Sequence, residues 1–232
     1  PIYNEAQNIT KLVEEIFQSL DNYKNFEIIV VNDASEDNTI EITNRLQKKY
    51  NIVVINNKYN RGQSYSVLEG IRISKNEIIV TLDGDGQNNP SDIPNLLKYY
   101  VENKNIYLVG GIRQKRKDSI IKILSSKFAN KVRSSILKDD CQDTGCSLKV
   151  FNREVFLEFP YFNGIHRFLP ALFKGYNYKC FYIKVDHRMR KNGISKYGTF
   201  GRLYRGIIDI FRVKKIIKNY KLKKKNVWNI KY

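Results

Sequence analysis

Glu77-Ile78-Ile79-Val80-Thr81-Leu82-Asp83-Gly84-Asp85-Gly86-Gln87 runs from a short apolar, β-branched stretch straight into two carboxylates one residue apart. Its first half has the length and composition of a buried strand. Its second half sets paired acids between glycines that let backbone approach a ligand. Such a pair can hold a hard divalent cation, with Gln87 as a neutral oxygen beside it. An Asp-Gly turn closing a hairpin uses the same residues, but a helix-like segment beginning near Ser91 follows and argues against a hairpin.

Working outward, further apolar runs bounded by turn residues occur at Phe26 to Val31, Ile52 to Ile55 and Ile106 to Gly111. Helical spacing lies between them. Asn8 to Leu20 aligns Ile9, Leu12, Val13, Ile16 and Leu20; Thr39 to Tyr50 aligns Ile40 and Leu46; Ser64 to Ile73 aligns Val67, Leu68 and Ile71. Strands alternating with helices predict an α/β fold, a Rossmann-like, mostly parallel sheet covered on both faces. Ligands of such sheets sit beyond the carboxyl ends of the strands. The polar segments there are Asn32 to Asp37, Asn56 to Gly62 and Asp83 to Gln87. No GxGxxG or GxxxxGK[ST] occurs, so neither a dinucleotide fingerprint nor a P-loop is supported.

The 232 residues carry 41 Lys and Arg against 23 Asp and Glu, a formal charge of +18, and the excess is segregated. Residues 1 to 112 hold 11 basic and 15 acidic side chains, whereas 113 to 138 hold 9 against 1 and 184 to 225 hold 15 against 2. Solvated lysine faces would spread the excess evenly; segregation points to an anionic partner. Cys141, Cys146 and Cys180 cannot all pair and form no metal knuckle, so free thiols in a reducing compartment are expected. His166 and His187 are the only histidines, and their spacing supports no metal site. Ser119 to Leu137 and Thr199 to Ile217 each interleave apolar residues at helical spacing with Lys and Arg, as interfacial amphipathic helices do. The second is expected to place Phe200, Leu203, Tyr204, Ile207, Phe211 and Ile217 on one face. No run is long and apolar enough to span a bilayer. The chain opens at Pro1 on a loop-like segment, which predicts a preceding strand outside this sequence.

Pro1-Ile2-Tyr3-Asn4-Glu5, Val31 to Thr39, Asn60-Arg61-Gly62 and Asp83 to Gln87 stand in the order and spacing of glycosyltransferase family 2. The second half resembles the polyprenyl-phosphate branch typified by dolichol-phosphate mannose synthase. It does so through Gly111 to Arg116, Asp143 to Lys149, His166 to Pro170 and Arg190 to Tyr197. Asn32 stands where the family often has a first Asp, and Ala34 where it often has Gly.

The resemblance implies a GT-A domain over residues 1 to 198, with a basic amphipathic helix and tail over 199 to 232. It implies inverting, Mg²⁺- or Mn²⁺-dependent transfer of a hexose from a nucleotide-diphospho-sugar of GDP-mannose or UDP-glucose type to polyprenyl phosphate. Pro1, Tyr3, Glu5, Asp33 and Arg61 would face the nucleotide. Asp83, Asp85 and Gln87 would hold the cation on the donor diphosphate, with Asp83 also facing the donor and Asp85 catalytic. Arg113 would contact phosphate. Lys122, Ser126, Arg190 and Lys196 would bind the acceptor phosphate, with Arg190 also catalytic. Asp143 would position a sugar hydroxyl or serve as a base, and positioning is preferred because a phosphate acceptor is already ionised near neutral pH. His166 has a structural or positioning role. Peripheral attachment to the anionic cytoplasmic face of the inner membrane is expected, with a membrane-anchoring protein as a further partner. Glycan extension on a sugar hydroxyl is the alternative enzyme reading. A nucleic-acid-binding module, suggested by the charge and the 16 tyrosines, gives no reason for the Asp83 to Gln87 loop, so no nucleic acid partner is expected.

Overall fold

The computed structural model describes residues 1–114, 130–189 and 199–229. A parallel pair, β1 (Ile28–Asn32) and β2 (Ile52–Asn56), runs in register from Ile28 opposite Ile52 to Asn32 opposite Asn56. Ile2 extends it through a parallel bridge to Asn32. A four-stranded sheet follows the order β3 (Ile78–Thr81), β5 (Lys149–Asn152), β4 (Ile106–Arg113), β6 (Lys179–Val185). β4 and β6 are parallel, and β5 runs antiparallel between β3 and β4. The inserted β5 brings its first residue to the carboxyl ends of both neighbours. The 143–148 loop therefore lies between the Asp83 loop and Arg113.

Helices α1 (Ile9–Ser19) and α2 (Thr39–Lys49) cover the parallel pair, and α3 (Gln63–Ile73) packs on β1. The expected core face of α2 is corrected in one respect: Ile40 is 40% exposed. Thr39, Thr43 and Leu46 are the buried residues, at the i, i+4, i+7 spacing that keeps one helical face inward. After β3 no hairpin forms. Asn89 caps a 3-10 turn at Pro90–Asp92 by accepting the Ser91 N–H at 3.2 Å, and α4 (Ile93–Glu102) continues from it.

The aromatic core lies under β4 and β5, where Phe151, Phe156, Phe159 and Phe173 meet edge-on or offset. Helix α5 (residues 130–137), α6 (Arg153–Leu157) and α7 (Leu169–Gly175) contribute to it, as does the long α8 (Thr199–Asn229). The single apolar face expected for α8 is split. Ile210, Val213 and Ile217 pack on the core, whereas Ile207 and Phe211 are exposed. The sequence spacing misleads because Asp209, 5% exposed, also faces inward to pair with Arg167 at 2.9 Å. Arg133 is likewise no surface charge. It is 4% exposed and pairs with Asp139 at 3.0 Å, which removes it from any anionic surface.

Candidate active site

The Asp83 to Gln87 loop is held from three sides. The Asp83 N–H donates to Ser147 Oγ at 3.2 Å, and that hydroxyl donates to Asn88 Oδ1 at 2.5 Å. Thr81 Oγ1 donates to the Ser147 carbonyl at 2.7 Å. Gln63 Nε2, at the start of α3, donates to Asp83 Oδ1 at 2.6 Å. Within the loop the Gln87 N–H donates to Asp85 Oδ1 at 3.1 Å, and Gly86 turns at φ +71°. Gly84 has no room for a side chain, because a methyl group there would fall inside the van der Waals shell of Ile2. That close approach sets the Pro1–Ile2 backbone against the loop that carries the paired acids.

Desolvation, and then the neighbouring Asp85 charge, raise the Asp83 carboxyl above the ordinary carboxylate range. A buried carboxyl beside a second acid is a place where positive charge would be favoured. Among the described residues no three His, Cys, Asp or Glu side chains cluster as metal ligands. The residues expected as donors, Asp83, Asp85 and Gln87, are a sparse oxygen set of the chemistry that suits Mg²⁺ or Mn²⁺ sharing its coordination with phosphate oxygens.

On the side where a nucleotide is expected, Asp33 accepts from Asn57 Nδ2 at 2.9 Å, the Arg61 N–H at 3.0 Å and the Gly62 N–H at 2.8 Å. The carboxylate so expected at the base or ribose shapes the loop that presents Arg61. Gly62 (φ +86°, ψ 160°) occupies backbone space open essentially to glycine. The exposed Arg61 guanidinium lies 3.4 Å over the Tyr65 ring, which Tyr161 meets edge-on at 6.3 Å. Glu5 accepts from Asn8 Nδ2 at 2.7 Å, and its N–H donates to Thr39 Oγ1 at 3.0 Å. A cavity of about 520 Å³ opens beside it, lined also by Asn4, Asp37 and Asn38. Tyr3 and Pro1 are half-buried.

Ala34 stands at φ +59°, the left-handed region that costs a non-glycine residue about 1 kcal/mol. Ala34→Gly is expected to be stabilising or neutral despite the added unfolded-state entropy, read as an unchanged or raised urea midpoint. A clear drop in that midpoint would refute the strain.

Arg113, at the end of β4, is gripped by Asp143. Nε donates to Oδ2 and Nη2 to Oδ1, both at 2.8 Å, and the Arg113 N–H adds a third bond at 3.2 Å. Gly145 leaves the guanidinium its place, since a Cβ there would stand 2.7 Å from Nη2. Asp143 thus fixes the orientation of the Arg113 guanidinium. The structure joins Asp33 to the Arg61 and Gly62 backbone, Asp83 to Gln63 and Ser147, Asp85 to the Gln87 N–H, and Arg113 to Asp143, and it sets the Pro1–Ile2 backbone against Gly84. Lys122, Ser126, Arg190 and Lys196 lie outside the described residues, as does most of the Ser119 to Leu137 helix.

Sequence reading missed Gln63, Asn88 and Ser147, whose roles rest on contacts across 20 to 64 positions. It also missed Lys149, a 3% exposed lysine bonded to the Cys146 carbonyl. A lysine within a strand pattern is the one local signal that could have marked it.

His166 Nδ1 lies 2.6 Å from Ser64 Oγ, which also accepts the Gly164 N–H at 2.8 Å. Desolvation, with the charges of Arg167 and Lys149, lowers its pKa to about 3. It is neutral when folded and protonates in the unfolded chain near pH ~6.5. The unfolded state thus takes up a proton first, and acid costs stability. Wild type is expected to lose stability relative to His166→Gln as pH falls from about 6.5 toward about 3. A pH-independent difference in urea midpoint would contradict this.

Residues 1–159 match the family described as glycosyl transferase family 2. Dodecaprenyl-phosphate galacturonate synthase of Rhizobium johnstonii is 31% identical over 219 residues, covering 92% of this chain and 64% of that protein. Undecaprenyl-phosphate 4-deoxy-4-formamido-L-arabinose transferase of Pectobacterium carotovorum subsp. carotovorum is 30% identical over 214 residues, 90% of this chain and 64% of that one. The chain thus spans a little under two thirds of the length of these relatives. Among solved structures, glucosyl-3-phosphoglycerate synthase of Mycobacterium tuberculosis with phosphoglyceric acid superposes at TM-score 0.72 and 16% identity, over 93% of this chain and 78% of that one. The same enzyme with Mn²⁺ and UDP-glucose gives 0.65 at 17% identity, over 91% and 75%. These likenesses establish the fold.

Proposed function

The chain belongs to glycosyltransferase family 2 and has its GT-A fold, and from that premise we propose that it transfers a glycosyl group from a nucleotide-diphospho-sugar to polyprenyl phosphate, with inversion. The observation that carries this reading is the pairing, across the start of β5, of a two-carboxylate loop with an arginine fixed by its own acid. The names of the two relatives, both polyprenyl-phosphate enzymes, support the acceptor.

In this reaction an acceptor phosphate oxygen bonds to the anomeric carbon while the bond from that carbon to the donor diphosphate breaks, the electron pair leaving with the nucleotide. A phosphate monoester has its second pKa at about 6 and arrives ionised, so no base is required. The protein's task is alignment and charge neutralisation. Asp83, Asp85 and Gln87 would hold the divalent cation, which supplies positive charge to the departing diphosphate. Gln63 and Ser147 keep the Asp83 loop in place. Asp143 presents the Arg113 guanidinium to phosphate oxygens, and Asp33 presents the Arg61 loop to the nucleoside, with Tyr3 and Glu5 alongside. Lys122, Ser126, Arg190 and Lys196 complete the proposed acceptor site.

No helix among the described residues is long and apolar enough to cross a membrane. Exposed Ile207, Ile208 and Phe211 on α8, followed by Lys214, Lys215 and Lys218, support peripheral contact with the anionic cytoplasmic membrane face. The test is transfer of label from a panel of GDP- and UDP-sugars, uronic acid and amino-pentose donors included, into organic-extractable undecaprenyl phosphate with Mg²⁺ or Mn²⁺. Lipid-phase label from one donor is expected. Nucleotide release only when a saccharide is added would transfer the assignment to glycan extension.

A further inference from the structure

Where the ends of α5 and α7 meet α8, a cavity of about 270 Å³ opens whose lining includes none of the residues expected to hold the donor. Ile136 and Ile217 give it an apolar floor, and Lys138, Lys174, Lys214 and Lys221 stand around it. Packing imposes this gathering of like charges. Gly175 admits Ile217 so closely that a methyl group could not fit between α7 and α8. One turn on, the rings of Tyr176 and Tyr220 stack at 3.6 Å. Lys214, Ile217 and Lys221 share one face of α8 by their i, i+3, i+7 spacing. Lys138 turns off the end of α5 at φ +54°, its N–H still bonded to the Ser134 carbonyl at 2.7 Å. Asp140, paired with Lys174, answers one of the four charges.

The volume falls below the roughly 300–1,000 Å³ of small-molecule sites, room for a compact anion rather than a nucleotide-sugar. What lies beside it names the source of that anion. Along α8, Ile207, Phe211, Lys214, Lys218 and Leu222 follow one another at steps of three or four residues, all exposed. A face that starts apolar at Ile207 and Phe211 and runs on through Lys214 and Lys218 to Leu222 suits a helix lying in a headgroup layer, where apolar side chains enter the acyl boundary and lysines meet phosphates. We propose that this cavity binds the phosphate of an anionic phospholipid headgroup, seating α8 on the membrane at a site separate from the transfer site. The proposal rests on the peripheral-membrane reading above.

The test is cosedimentation of the full chain with phosphatidylcholine vesicles, with and without phosphatidylglycerol. One variant carries Lys138→Gln, Lys174→Gln, Lys214→Gln and Lys221→Gln. A charge-matched control carries Lys215→Gln, Lys218→Gln, Lys223→Gln and Lys224→Gln. Wild type is expected to bind only the anionic vesicles, and the cavity variant to lose at least about tenfold more affinity than the control. Four Lys→Arg changes at the cavity should retain binding, which separates charge from misfolding. Equal losses in both glutamine variants would overturn the site and leave membrane association standing. Failure of wild type to bind anionic vesicles would overturn both. Displacement from vesicles by inorganic phosphate at matched phosphate concentration would overturn the lipid assignment in favour of a soluble anion. Transfer to a short-chain acceptor in detergent should be the same in all four proteins, and its absence from wild type would speak against the transferase reading alone.

Discussion

Asp85→Ala is expected to lower transfer by at least about 10³-fold while leaving the fold intact. The reasoning is electrostatic. The donor diphosphate gains negative charge as the glycosidic bond breaks, and the Asp83, Asp85 and Gln87 oxygens are the set that would hold a cation against it. Asp83 alone would leave the site with one carboxylate, and its Oδ1 already shares its electron pairs with the Gln63 amide at 2.6 Å. Asp85 bonds to the neighbouring Gln87 N–H and lies outside the buried core. Its removal should therefore change stability by no more than about 0.5 kcal/mol. Parallel measurement of turnover, cation binding and thermal midpoint checks this. Full turnover by a folded variant, or by wild type in chelator, would remove the cation from the mechanism.

Asp143→Asn is expected to reduce turnover by about 10²-fold, the order of loss that misplacement of a substrate-contacting group produces. The carboxylate makes a two-point contact with Arg113 and takes a third bond from its backbone. An asparagine can accept at one atom, and it presents an amide donor where the other oxygen stood. Arg113→Lys should be comparably impaired, since a lysine cannot reproduce the fork. The double variant should lose little more than either single one, as members of one unit do. The pH dependence separates the two roles considered for Asp143. A positioning residue lowers the rate at every pH and leaves the acid limb where it was. A general base would take that limb away with it.

Much of the fold is legible locally because strand and helix periodicity are properties of short windows. Phe26 to Val31, Ile52 to Ile55 and Ile106 to Gly111 lie within a few residues of β1, β2 and β4, and α1, α2 and α3 begin at or beside their expected starts. The Asp83-Gly84-Asp85 spacing marked the candidate site for the same reason: a pair of acids on one loop is contiguous in the chain. Face assignment was less secure where a charged residue turned inward. On α8, Asp209 is buried by Arg167, and on α5 Arg133 by Asp139. Asp209 lies 42 positions from Arg167, and Asp139, although six positions from Arg133, stands beyond the end of α5, where helical spacing no longer says which way a side chain points.

The sequence by itself determined the alternation of strands and helices, the segregation of positive charge, and the acids and arginines that stand after the strands. These follow from periodicity and from residue chemistry, which need no knowledge of distant contacts. Tertiary structure decided what each of those groups does. It placed β5 antiparallel between β3 and β4, so that Asp143 meets Arg113 and Ser147 meets Asp83. It turned Asp33 to the backbone of Arg61 and Gly62, and it collected four lysines from three helices around one cavity. Such pairings join residues tens of positions apart. Their geometry is set by how the sheet and its covering helices pack, and no local preference encodes that.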